Sequence, residues 1–467
     1  MKTCVCGSNR SHKPYMEINP FLCYNNEILP VFSMDFSFSK SIIVLLAICA
    51  LGAYDLSERM KQKTPHLLFA CILGTILSFG ITRLTDIFIQ PGREDPYLLA
   101  FAFIFIVLLW RTLFGPWEVQ TKVVVLGTFL FWITFQIFND DDPIERNMRF
   151  IAGGVALIPA CVWCMLFLRY HRQRLGIVLL MFFAGMLSTA PILFYDQLVR
   201  HGIRLNFFAF SLTPESFSRS SDLFISGRLL GSPGIRSTIL ATLLSFVIVA
   251  LIEEISKFWV LKKNGQAFCS SIDDAIQYGI IIAIGFAFAE NILNSNYFLG
   301  FVRQYLLNEA SPDIIGFLSN VAGRSVLTNM VHIVSTGVLG YFLGLAWFAS
   351  SYMEETRERE GMFMIVSLIH RLLRLPKKIV FRSFVVFTGL FCAILLHAVF
   401  NFLVTLPDIL PGNPRTLGDL FSAAPQSPLH MIALLLFPSL FYVCGGFWLL
   451  TGLFLRQENM KERAVEM

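Results

Sequence analysis

The sequence predicts an all-α, polytopic transmembrane helix bundle, and three observations carry that prediction. Of its 467 residues, 55% are apolar and only 15% are charged, against about 45–50% and about 25% in a soluble globular chain. The apolar residues come in long blocks, and a helix needs about 20 of them in a row to cross a bilayer. The blocks also lack the short alternating segments of a transmembrane β-barrel.

In chain order, about eleven blocks qualify by that length rule. Their cores are Ser41–Tyr54, Leu67–Ile89, Tyr97–Phe114, Val123–Phe138, Phe150–Leu168 and Leu175–Phe194. They continue with Ser237–Leu261, Tyr278–Phe298, Val326–Phe348, Phe384–Leu406 and Met431–Leu455. Residues 1–36 read as an N-terminal tail without a signal peptide's apolar core. Residues 37–236 read as a scaffold of about six spans, ending in a long extracytoplasmic loop, 196–236. Residues 237–406 form the expected catalytic bundle, interrupted by a cytoplasmic insertion at 351–383, and 407–467 hold the final span and a cytoplasmic tail. The insertion carries a charged run, EETRERE, then GMFMIVSLIHRLLRL. In the latter, apolar and basic residues alternate at helical spacing, as in a helix lying on the membrane surface.

Lys and Arg mark the cytoplasmic loops. They cluster at Arg59–Lys63, Arg169–Arg174, Lys262–Lys263, Arg371–Arg382 and Arg456–Arg463. With eleven spans this puts the N-terminus outside and the C-terminus in the cytoplasm, in the cell (inner) membrane. No basic cluster with interleaved aromatics points to nucleic acid. Cys161 and Cys164, one turn apart in an apolar block, read as packing residues.

Ionisable residues inside spans are expensive, about 2.5 to 3.5 kcal/mol each at a helix centre, and by default mark function. The first six blocks hold few of them, Arg83 being the main exception. The later blocks hold nearly all. ALIEEISKFWVL places Glu253, Glu254 and Lys257 in the seventh block. GFAFAEN places Glu290 and Asn291 in the eighth, with Asn294 one turn on. The ninth holds Asn329 and His332, followed by Gly337, Gly340 and Gly344 at the spacing of close helix packing. The tenth holds His397, with Asn401 four residues later on the same face.

This set suits hydrolysis. A glutamate can take a proton from water and return it to a leaving amine, while imidazoles and amides stabilise the oxyanion. Alternatively two histidines and a glutamate can hold Zn²⁺ with one position open. A proton- or ion-coupled transporter or channel would use the same residue types as a relay. There is no HExxH, GxSG or GxGD, which disfavours other intramembrane protease chemistries.

EEISK at Glu253–Lys257 resembles the EExxK motif of the PrsW family of intramembrane proteases, and GFAFAEN at Gly285–Asn291 resembles that family's GFAxxEN. His332 with TGVLGYFLG, and HAVFN at His397–Asn401, resemble its third and fourth motifs. Asp273 and Asp274 match the acidic start of the second motif's helix. The motif style is related to that of the CAAX prenyl proteases. The resemblance covers about residues 240–406. It implies a membrane-embedded endopeptidase acting on membrane proteins, anti-sigma-factor-like ones among them. By the same resemblance Glu253 and Glu254 activate water, and Glu290, His332 and His397 complete the site. Lys257, Asn291 and Asn401 support them. Glu290, His332 and His397 are the ligand candidates should a metal be used. Zn²⁺ and a metal-free water both stay open, the metal-free scheme being preferred.

Depth sets a condition on this site. On straight helices rising about 1.5 Å per residue, Glu253 falls nearer the cytoplasm than Glu290, His332 and His397, by an offset on the order of 10 Å. The expectation is that the seventh helix starts later than its apolar block or shifts outward.

Overall fold

A computed structural model describes residues 67–89, 96–115, 117–139, 142–200, 205–207, 210–212, 235–293, 297–307, 312–348, 364–410, 414–432, 434 and 436–455. All lie in one unit, Asp55–Met467. The expected first span, Asn294 and the charged EETRERE run fall outside the described residues.

The described chain is helical apart from one short hairpin. The helices are α1 (Leu67–Ile89), α2 (Pro96–Phe114), α3 (Val119–Phe138), α4 (Pro143–Phe167), α5 (Leu175–Leu187) and α6 (Ala190–Arg200). Strands β1 (Leu205–Phe207) and β2 (Phe210–Leu212) pair antiparallel, Asn206 opposite Ser211. Then come α7 (Ile235–Val260), α8 (Ile272–Leu293), α9 (Ile314–Trp347), α10 (Met364–Leu373) and α11 (Lys377–Ile409). The last helix, α12 (Leu436–Phe454), is broken by a π-turn at Phe441–Gly445. Seven described helices are long and apolar enough to cross a membrane. The protein is an integral membrane protein built as an all-α bundle.

The helix ends follow local chemistry. Asp142 caps α4 by accepting from the Ile144 N–H, with Pro143 at the first position, and Asp313 caps α9 through Gly316 N–H. At α8, Asp274 accepts from the Ser270 and Ser271 N–H groups at 2.8 and 3.0 Å, and Ser271 Oγ accepts from Asp274 N–H. Residues 377–382, which the sequence assigned to the insertion, form the first turns of α11 instead.

Glycines set the close packing that centres the bundle. α8 lies between α5 and α9. A Cβ at Gly185 would strike the Ile282 carbonyl, and one at Gly285 the Phe182 carbonyl. On its other side, Gly279 packs on Thr336 and Gly340 on Ala275. The expected glycine stripe on α9 is therefore a packing surface. α8 and α9 are the most buried spans, while α11 and α12 show Phe387 and Trp448 outward, as lipid-facing helices do.

Of the two forms of the depth expectation, a later start is not what the structure shows. α7 starts at Ile235, no later than its apolar block. Its cytoplasmic end is prolonged instead, by a π-turn at Leu261–Gly265 and a 3₁₀ turn at Gln266–Phe268. Glu253 is then as many residues from Phe268 as His332 is from Trp347, and Lys257, one turn on from Glu253, meets His332 directly. Lys122 of α3 donates to Asn264 Oδ1 at 3.3 Å and holds this turn from the side.

Candidate active site

Four helices bring the expected residues together. On α7, Glu253 and Lys257 are one turn apart on one face, and Glu254 lies beside them. Lys257 Nζ is 2.8 Å from Glu254 Oε1 and 3.9 Å from Glu253 Oε2. It also stands 4.0 Å from the centre of the Phe286 ring on α8, a cation–π contact. Glu253, Glu254, Lys257, His332 and His397 are all buried. A buried ammonium has few such options: it needs carboxylates, an imidazole or an aromatic face, and here it has all three.

Each histidine is braced by a carboxylate through one ring nitrogen. His397 Nδ1 is 2.9 Å from Glu254 Oε1, so the imidazole donates there and its Nε2 keeps the lone pair. His332 Nδ1 is 3.0 Å from Lys257 Nζ; an ammonium only donates, so Nδ1 accepts. The proton of His332 is then on Nε2, which donates to Glu290 Oε2 at 3.1 Å. The two rings meet edge to face, 4.8 Å between centres.

Glu254 and Glu253 are neighbours in sequence and opposites in environment. Glu254 accepts from Lys257, His397 and Ser335 at Oε1, and from Thr336 at Oε2, 3.2 Å away. Glu253 Oε2 is buried and accepts no hydrogen bond. It faces His397 Nε2 at 3.6 Å. Two lone-pair acceptors at that separation repel unless a positive charge, a proton or a metal ion, lies between them.

The donor set fits a divalent cation. Glu253, His332 and His397 offer ligand atoms all within 4.8 Å of one another. One carboxylate and two imidazoles are a familiar zinc set. Formal charge agrees: among the described residues the three carboxylates Glu253, Glu254 and Glu290 face two Lys or Arg cations, Lys257 and Arg324, and one negative charge is left over. Glu290, the carboxylate the sequence put among the ligand candidates, instead bonds the far side of His332.

Asn291, on α8, is buried and accepts from Arg324 Nε at 2.6 Å. Asn401 is half-buried one turn beyond His397, and among the described residues no hydrogen bond joins it to the cluster. Sequence reading missed Ser335, Thr336 and Arg324. The first two follow His332 by one turn, which was a usable signal. Cys161 and Cys164 are free thiols on α4.

A family model described as PrsW family intramembrane metalloprotease matches residues 173–433. No curated protein and no solved structure matches the chain.

Proposed function

The chain belongs to the PrsW family of intramembrane metalloproteases, and from that premise we propose that Glu253, Glu254, Glu290, His332 and His397 form its catalytic centre. As a member it is a membrane-embedded protease whose substrates are membrane proteins. The observation that carries the site assignment is the facing pair, Glu253 Oε2 and His397 Nε2, in a cluster where the other carboxylates are already bonded.

Glu253 is the carboxylate left for the reaction. It takes the proton of the attacking water and returns it to the leaving amine, as a general base and then a general acid. Glu254 holds His397 in the tautomer that presents Nε2 to the cluster, and Glu290 does the same for His332 from its Nε2–H side. Lys257 balances the glutamate pair. Burial keeps bulk water from competing and strengthens each of these contacts. Glu253, His332 and His397 are the residues that would hold a divalent ion. The chemistry such an ion supplies is Lewis acidity toward the scissile carbonyl and the water. The family description favours this over the metal-free scheme, and it leaves the transporter reading without support.

The substrate segment is proposed to reach the site from within the bilayer, anti-sigma-factor-like membrane proteins being the first to test. The N-terminus is placed outside and the C-terminus in the cytoplasm, from the charge of the loops. The test uses purified protein in proteoliposomes with a single-span peptide carrying a fluorophore and a quencher on either side of its apolar segment. Cleavage that stops with phenanthroline, returns with Zn²⁺ and is absent in Glu253→Gln supports the proposal. Full cleavage by Glu253→Gln sinks it.

A further inference from the structure

Arg324 lies two turns before His332 on α9, outside every motif that marks the site, yet its guanidinium reaches the cluster. Its Nη2 is 3.5 Å from Glu290 Oε2. Its Nε donates to Asn291 Oδ1 at 2.6 Å. Its Cζ lies 3.0 Å from the centre of the Tyr297 ring. The side chain is only 14% exposed, and Nη2 is buried with no hydrogen bond of its own. A guanidinium in such a place is held from three directions: by an amide from α8, an aromatic face beyond α8, and a carboxylate.

Glu290 is the group this arrangement controls. Its Oε2 receives the His332 Nε2–H at 3.1 Å, and its side chain is 19% exposed, the most open of the cluster's three carboxylates. One hydrogen bond to an imidazole leaves a carboxylate free to turn toward water. A fixed cation beside the same oxygen removes that freedom. Lys257 cannot serve, being committed to Glu254 and to the opposite nitrogen of His332.

We propose that Arg324 is a positioning residue: it fixes Glu290 by charge so that Glu290 holds the His332 Nε2–H, forming a line Arg324–Glu290–His332–Lys257 through the site. This rests on the assignment of His332 and Glu290 to the catalytic centre. The plain alternative is that Arg324 only clamps α9 to the end of α8 through Asn291 and Tyr297. The two differ in whether its effect passes through Glu290.

The direct readout is the His332 ring N–H signal in full-length protein labelled with ¹⁵N-histidine in micelles, assigned by its loss in His332→Gln. A ring N–H bonded to a carboxylate resonates far downfield. Arg324→Gln is expected to move this signal upfield, as Glu290→Gln does, and the double variant to match Glu290→Gln alone. Arg324→Lys, which keeps the charge, should hold the signal near its wild-type position even if Gln does not fold. Cleavage of the fluorophore–quencher peptide should follow: about 10–100-fold loss for Arg324→Gln, as for other groups that orient a site histidine, and less than about 2-fold further loss in the Glu290→Gln background. A His332 signal unmoved in Arg324→Gln, or losses that multiply in the double variant, overturns the proposal. Glu253→Gln is run alongside. If it alone keeps full activity, the catalytic centre is misassigned, whatever the His332 signal shows about Arg324.

Discussion

Among the described residues, two histidine–carboxylate clusters have a buried carboxylate at their centre, and they are built to different ends. The first is the Glu253–Glu254–His332–His397 group described above. The second ties the α4–α5 loop to the start of α8. There Asp274 receives His171 Nε2 at 2.6 Å, Gln173 Nε2 at 2.5 Å, and the Ser270 hydroxyl at 2.5 Å, in addition to two backbone N–H groups. Tyr278 donates to Gln173 Oε1 and to the Phe268 carbonyl, and both oxygens of Asp274 are filled. Residue types are nearly the same in the two places. The distinction is in the donor count: Asp274 is saturated, as Glu254 is, while Glu253 Oε2 accepts nothing. A saturated carboxylate resists change and builds structure. One aimed at an imidazole lone pair across 3.6 Å has affinity to spare for a proton or a cation.

The largest effect that can break this comparison is on Glu253. Glu253→Gln should lower kcat by about 10²–10⁴-fold, the range of general acid–base catalysis. Thermal unfolding should change less than in Glu254→Gln, since the 3.9 Å approach of Lys257, and no hydrogen bond to Oε2, is lost. Comparable destabilisation would place Glu253 with the structural carboxylates. Next comes Glu254→Gln. It should lower both activity, by about 10–100-fold, and stability, by about 3–5 kcal/mol as a broken buried pair does. Both are readable in parallel unfolding and cleavage assays. Asp274→Asn sharpens the contrast from the other side. It should cost about 1.5–3 kcal/mol as a charged hydrogen-bond acceptor weakened, with cleavage per folded molecule unchanged. The smallest effect is expected at Arg303–Glu145, where Nη2 lies 2.7 Å from both carboxylate oxygens but the pair is exposed. Arg303→Ala should move stability by no more than about 1 kcal/mol, and less in high salt.

The proposed catalytic cluster was legible because its parts carry short-range signals. Glu253 with Lys257, Glu290 with Asn291, and His397 with Asn401 each stand out as polar pairs in apolar blocks, and the structure brings the titratable ones within contact. What did not show was anything set by helix geometry at a distance. The π-turn after Val260 has no marker in LKKNG that separates it from a loop, yet it prolongs the helix that carries Glu253. Arg324 looked like a residue near the start of an apolar block. Its role depends on α9 beginning at Ile314, a full three turns earlier than apolarity alone suggested. The division between Glu253 and Glu254 was likewise hidden, because adjacent identical residues differ only in which way α7 turns them. In the segment expected to lie on the membrane surface the structure shows a helix, α10, with Val366 buried and Leu368 and Leu372 exposed.

The central claim is that Glu253 is the reactive carboxylate and Asp274 a structural one. It is tested most directly by following cleavage of membrane proteins in cells that express, at equal levels, wild type, Glu253→Gln, His332→Ala and Asp274→Asn. The account predicts that one or more membrane proteins accumulate uncut with Glu253→Gln and His332→Ala, and are cut normally with Asp274→Asn. Normal cutting by Glu253→Gln, or accumulation with Asp274→Asn alone, would contradict it.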